Sequence, residues 1–252
     1  MFDVRTPLLI LHIAVGTVAV AVGMVALLAR KPVGAPGKVH RSSGRVFLIC
    51  LSVALVSAIL LTVIRPKAYF VGLTASSLVC LFSGWRVLGR KRPDLRAADR
   101  AKLADWAVAG ATFATGATLV AMASMGMLGR NVVMFYAMGS GTMMYAGYDL
   151  YRFMRPLGFP FSPDLWLYEH LVKMIGAYFG AVASFSGNVL MLLPEPWRQL
   201  WAISLGQFLA VALTIRYVRL MRRRRGERLA RVEERPSVAR PRSEPAEVLQ
   251  PA

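Results

Sequence analysis

Residues 8–29 read LLILHIAVGTVAVAVGMVALLA, a run of 22 residues in which only His12 and Thr17 are polar. A helix gains about 1.5 Å per residue, and the hydrocarbon core of a bilayer is about 30 Å thick, so roughly 20 apolar residues cross it. A soluble helix of this length would carry a polar stripe. This one has none. Six more segments follow in the same manner: 46–64, 69–89, 106–128, 132–150, 167–193 and 200–220. The fifth is the most polar at its centre, with Gly139-Ser140-Gly141-Thr142, and it has Asp149 near its end. The reading is an all-α, polytopic membrane helix bundle with seven predicted transmembrane helices. The first segment is read as retained, not as a cleaved signal. It has no basic leader, Arg5 being balanced by Asp3, and it outruns the usual apolar stretch of about 7–15 residues.

Composition agrees. Charged residues make up 17% of the 252 residues, against about 25% in soluble domains, yet the net charge is +18. Mean hydropathy is +0.50. Few charges with a large basic excess exclude an ordinary soluble globule and a disordered chain, and they require the charges to lie between the apolar runs. Cytoplasmic connections of membrane proteins collect Lys and Arg. With seven spans, one side holds the first loop (Arg30 to Arg45), the second (Arg86 to Lys102), the third (Arg152, Arg155, Lys173) and the arginines from Arg216 onward. Those stretches hold 26 of the 31 basic residues, and the opposite side has Arg5, Arg65, Lys67, Arg130 and Arg198. The N-terminus is therefore expected outside and the C-terminus in the cytoplasm. Residues 1–220 form one transmembrane domain. Residues 221–252, rich in Arg, Glu and Pro, read as a helical extension fraying into a disordered basic tail. Directly after a span, Arg222, Arg223, Arg224 and Arg225 are expected to meet anionic lipid headgroups rather than nucleic acid.

Polar groups within or beside spans are the candidates for function. His12 lies near the outer end of the first span, above the small residues Gly16, Ala19 and Gly23. In the sixth, Gly176, Gly180, Ser184 and Asn188 recur every four residues and share a face, with Phe179 and Val182 off it; His170 and Lys173 begin the same side. The stripe is a packing surface or the wall of a small cavity. His12 and Asn188 fall at similar depth. His40 and His170 both fall at cytoplasmic boundaries, within reach of Asp149 and Glu169, so a metal or proton-relay site on His40 and His170 is the sharper reading, and a solvated, lipid-facing basic loop the plainer one. His12 and His170, about 25 Å apart within a core of about 30 Å, cannot clamp one haem. Haem on His40 with His170 would need the loop to fold inward. A two-haem b cytochrome wants four histidines in its spans, and a retinal protein wants a lysine in the last. Neither pattern occurs, and cofactors stay unassigned. Cys50 and Cys80 read as buried free thiols. Phosphate loops, nucleophile elbows and HExxH are absent from the sequence. Ser42-Ser43-Gly44 reads as a turn or helix cap before the second span.

Three stretches carry a resemblance: Leu11-His12-Ile13-Ala14-Val15-Gly16, the run from Gly37 to Phe47 (GKVHRSSGRVF), and Glu169 to Tyr178 (EHLVKMIGAY) followed by a small-residue helix reaching Asn188. They resemble a family of uncharacterised bacterial multi-pass proteins described only as predicted membrane proteins. The likeness covers residues 8 to about 215, its most specific part being His40-Arg41-x-x-Gly44-Arg45; Lys173 departs from the arginine more common there. It implies that the three histidines are family features and supplies no reaction. The function expected is that of a non-catalytic or uncharacterised integral protein of the bacterial inner, or plasma, membrane. Its histidines and polar stripe would organise helix packing or a small ligand cavity. Two alternatives stand beside this: a redox or metal protein using His40 and His170, and a proton-coupled carrier using His12 and Asn188. Substrate and oligomeric state are not legible.

Overall fold

The computed structural model describes residues 4–29, 37–129, 132–158, 161 and 163–233. Arg30, Lys31 and Arg130, and the tail beyond Glu233 read above as disordered, lie outside the described residues. Among the described residues there is no strand, and seven α-helices form: α1 (Arg5–Leu28), α2 (Lys38–Ile64), α3 (Ala68–Arg86), α4 (Leu103–Ser124), α5 (Val132–Met154), α6 (Leu165–Val189) and α7 (Trp197–Glu233). Two short 3-10 turns, Val87–Gly89 and Ala97–Asp99, punctuate the connection from α3 to α4. The chain divides into two compact units, Met1–Thr214 and Ile215–Ala252. The second consists, where described, of the continuing helix of α7.

Among the described residues five helices are long and apolar enough to cross a membrane: α1, α2, α3, α4 and α7. The membrane reading gains most from α1. Its mean hydropathy over the best window is 2.4, yet only 11% of that window is buried by protein. Ile10, Leu11, Ile13, Val18, Met24 and Val25 all point outward. Apolar area in water costs about 25 cal/mol per Å2, so a helix this exposed needs an apolar solvent. The other two helices are long but diluted, α5 by Gly139-Ser140-Gly141-Thr142 and its tyrosines, α6 by Lys173, Asn188 and glycines.

Within the first unit α1 packs along α2 and α4 along α5, while α3 touches α2, α4, α5 and α6. Its small residues make this central place accessible: Gly72, Ala75, Ser77, Ser83 and Gly84 are buried. The main core joins Phe47, Leu51 and Leu55 of α2, Val79 and Leu81 of α3, Tyr145 of α5, and Ile175, Tyr178 and Phe179 of α6.

Two sequence expectations are corrected. Ser42-Ser43-Gly44 is neither a turn nor a cap, because α2 already starts at Lys38. Ser42 Oγ donates to the carbonyls of Lys38 and Val39, and Ser43 Oγ to that of Val39 at 2.6 Å. Short hydroxyls answered within the helix do not end it. The sixth helix stops at Val189, not Leu193; Pro194 and Pro196 follow too closely for a further turn.

Candidate functional site

The basic ends of α3, α5 and α6 and the start of α4 gather the buried charges of the bundle. On α5, Asp149 and Arg152 are three residues apart; on α6, Glu169 and Lys173 are four apart, so each pair lies on one helical face. The end of α5 meets the start of α6, and the charges match in opposite order. Lys173 Nζ donates to Asp149 Oδ1 and, at 2.7 Å, to Ser83 Oγ of α3. Arg152 Nε donates to Glu169 Oε1 at 2.9 Å, and Tyr148 Oη donates to the same oxygen at 2.7 Å. The side chains of Asp149 and Lys173 are 2% and 3% exposed. The Tyr148 ring centroid lies 5.5 Å from Lys173 Nζ.

Beside this pair sits a second one. Asp105, in the first turn of α4, accepts from Arg86 Nε and Nη2 at 2.9 and 2.8 Å and from the Lys102 backbone N–H at 2.8 Å. Planar guanidinium and carboxylate match in this two-point geometry. Arg90 stands 3.9 Å from Asp105 and stacks over the Phe153 ring at 4.7 Å. Burial pulls the Arg90 guanidinium below its usual range, against the pull of the Asp105, Asp149 and Glu169 carboxylates. Between the α3–α4 connection and the facing ends of α5 and α6 lies a cavity of about 30 Å3, bordered by Val87, Arg90, Asp149, Arg152, Phe153 and Glu169.

The histidines are used differently. His40 Nδ1 bonds the carbonyl of Ala26 at 2.9 Å, and His170 Nδ1 that of Gly84 at 2.8 Å. A carbonyl only accepts, so Nδ1 carries the proton in both rings. Each histidine, from the beginning of its own helix, donates to a carbonyl in the last turn of another, where the helix leaves acceptors unanswered. Asp149 and Glu169, expected to support them, are instead paired with Lys173 and with Arg152 and Tyr148. The reason is spacing: the charges of α5 and α6 face each other directly, whereas the rings turn toward neighbouring backbones. Among the described residues no three His, Cys, Asp or Glu side chains are grouped to hold a metal ion. A His40–His170 metal site would rest on the Nε2 atoms without a grouped third ligand from these residues.

His12 Nδ1 lies 3.0 Å from both the Ala54 carbonyl and Ser57 Oγ of α2. Asn188 is exposed and donates to Ser184 O within its own helix, so the described bonds do not join it to His12. Gly176 and Gly180 lie against α3, where an added Cβ would meet Cys80 Sγ at 3.0 Å and Ser77 Oγ at 2.7 Å. The first half of the stripe is a packing face.

Sequence reading named Asp149, Glu169 and Lys173 but missed their pairing, and it treated Arg86, Arg90 and Arg152 only as topological charge. It passed over Ser83, Asp105 and Tyr148. Asp105 had a signal: an acid in the first helical turn beside a span, three residues after the position where its carboxylate caps the chain. The complementary spacing on α5 and α6 was a second.

The cluster sets three carboxylates against one lysine and three arginines, an arrangement of paired and largely buried charges. Ser83 beside Lys173 looks like a nucleophile with its base, but Lys173 Nζ also donates to Asp149 Oδ1, so the lysine is shared between the hydroxyl and the carboxylate. Comparison with protein-family models, with curated proteins and with solved structures finds no match to this chain.

Proposed function

We propose that this chain is a multi-pass protein of a bacterial inner membrane that exchanges protons at a buried lysine–aspartate centre near its cytoplasmic end. All seven helices cross the bilayer in this reading, N-terminus outside. The five apolar helices support it. So do α5 and α6, which at about 1.5 Å per residue are long enough to span and turn their charges toward one another. The exposed arginines Arg222 to Arg225 follow the apolar part of α7 without a break in the helix, which suits contact with anionic headgroups.

One observation carries the proton reading: the Lys173–Asp149 pair is buried in a bundle of apolar helices. Removing two charges from water costs several kcal/mol per ion, and an apolar pair of the same size commonly stabilises as well or better. Ionisable groups held inside membrane bundles pair with one another and serve ion and proton pathways. The histidines meanwhile tie helix ends together.

Full-length protein in liposomes, with a trapped pH dye and a potassium diffusion potential, tests this. Proton uptake should exceed that of empty liposomes, and Asp149→Asn or Lys173→Met, recovered folded by circular dichroism, should return it to the empty rate. Uptake by the wild type no faster than in empty liposomes would refute the reading.

A further inference from the structure

Two buried atoms beside the Lys173–Asp149 pair have no hydrogen-bond partner among the described residues: Asp149 Oδ2 and Arg90 Nε. Their side chains are 2% and 8% exposed, and both residues border the 30 Å3 cavity. Arg90 Nε–H can only donate, and an ionised Asp149 oxygen can only accept. An orphaned donor and an orphaned acceptor on residues that border one cavity select the occupant. An anion would satisfy Arg90 and be repelled by Asp149; a cation would do the reverse. A neutral molecule that both accepts and donates satisfies the two together. Space decides its size: one water needs about 10–15 Å3 of such volume, so this cavity of about 30 Å3 takes two or three waters and no metabolite.

We propose that the cavity is a structural water site, in which water accepts from Arg90 Nε–H and donates to Asp149 Oδ2. Stacking on Phe153 holds the Arg90 guanidinium at the wall, and Lys173 holds the other Asp149 oxygen, so both orphaned atoms stay in place. Asp99, Arg100, Arg152 and Glu169 also border the cavity, continuing donors and acceptors along it. This deepens the proton reading above by naming how the buried pair reaches water. A proton received at the water oxygen is matched by one passed from that water to Asp149 Oδ2. The water is unchanged and Asp149 gains one proton, with no opening of the bundle.

Hydroxyl-radical footprinting of the full-length protein in nanodiscs tests the site, because X-rays generate radicals from bound water in place. Val87, 2% exposed, borders the cavity; Leu81, 3% exposed, lies in the core away from it. Val87 should be oxidised several-fold faster than Leu81. Ala101→Leu, which places a larger side chain on the cavity wall, should bring Val87 down to the level of Leu81. Equal oxidation of Val87 and Leu81 in the wild type overturns the site, and so does Val87 labelling unaffected by Ala101→Leu. Proton uptake without Val87 labelling removes the water site alone; labelling without uptake removes the proton reading alone.

Discussion

Lys173 lies between a carboxylate and a hydroxyl of two different helices, and replacing it by methionine leaves Asp149 buried without its counter-charge. Such a loss costs about 3–5 kcal/mol, whereas replacing both partners by apolar residues is often near neutral. Lys173→Met should therefore lower the melting temperature in detergent sharply, and Lys173→Met with Asp149→Leu should recover most of it. Additive losses would mean that the two side chains act independently. The histidines are smaller matters. His170→Ala strands the Gly84 carbonyl at a helix end, a loss of about 1 kcal/mol for an unmade bond. His40→Ala should behave alike at Ala26. Thermal melts of the two variants check both, and a much larger effect at one of them would point to a role beyond capping. The residues of this centre were legible as types, but their partners were not. Asp149 and Glu169 stood near two histidines in sequence logic, and only the facing of α5 and α6 assigns them to Lys173 and Arg152.

Helices α4 and α5 approach backbone to backbone. A Cβ at Gly116 would sit 2.7 Å from the Gly139 carbonyl oxygen, and one at Gly139 would sit 2.9 Å from that of Gly116. Backbone meets backbone there, and no side chain can swing aside. Gly139, in the most polar stretch of the fifth segment, is where the neighbouring helix comes in, as small residues permit in membrane bundles. Gly116→Ala should lower stability strongly, while Gly141→Ala, with nothing within 4 Å of the added carbon, should leave the melting temperature unchanged. Equal effects would remove the crossing. On α6, Gly180→Leu would strike Ser77 and should destabilise as well. The opposite face of α6 is not a neutral control, contrary to a one-sided reading of the stripe: Phe179 is buried, its Cβ standing 2.6 Å from where a Cβ on Gly206 of α7 would lie. A helix in the middle of a bundle is buried on several faces, which a periodic stripe of small residues does not reveal.

For the whole molecule, the basic residues set the expected orientation. A reporter active only outside the cytoplasm should be silent when fused after Leu220 and active after Lys67. The reverse pattern would invert the placement of the charged end, and with it the side on which the proposed proton exchange takes place. The all-helical class and the approximate positions of seven helices follow from the sequence itself. Apolar runs of bilayer length are a local property, and the segregation of charge into connections follows from the energy of burying ions in hydrocarbon. Helix ends were less legible, because serines that bond back within a helix look like caps, and prolines act a few residues before the apolar run ends. Which charge pairs with which, that the histidines answer helix carbonyls, and that Arg90 and Asp149 share a cavity were decided by the tertiary structure alone. Hydropathy is a sum over neighbours in the chain. An ion pair such as Lys173 with Asp149 depends on the relative rotation of two helices, and that rotation is set by side chains packing against α3, far away in sequence.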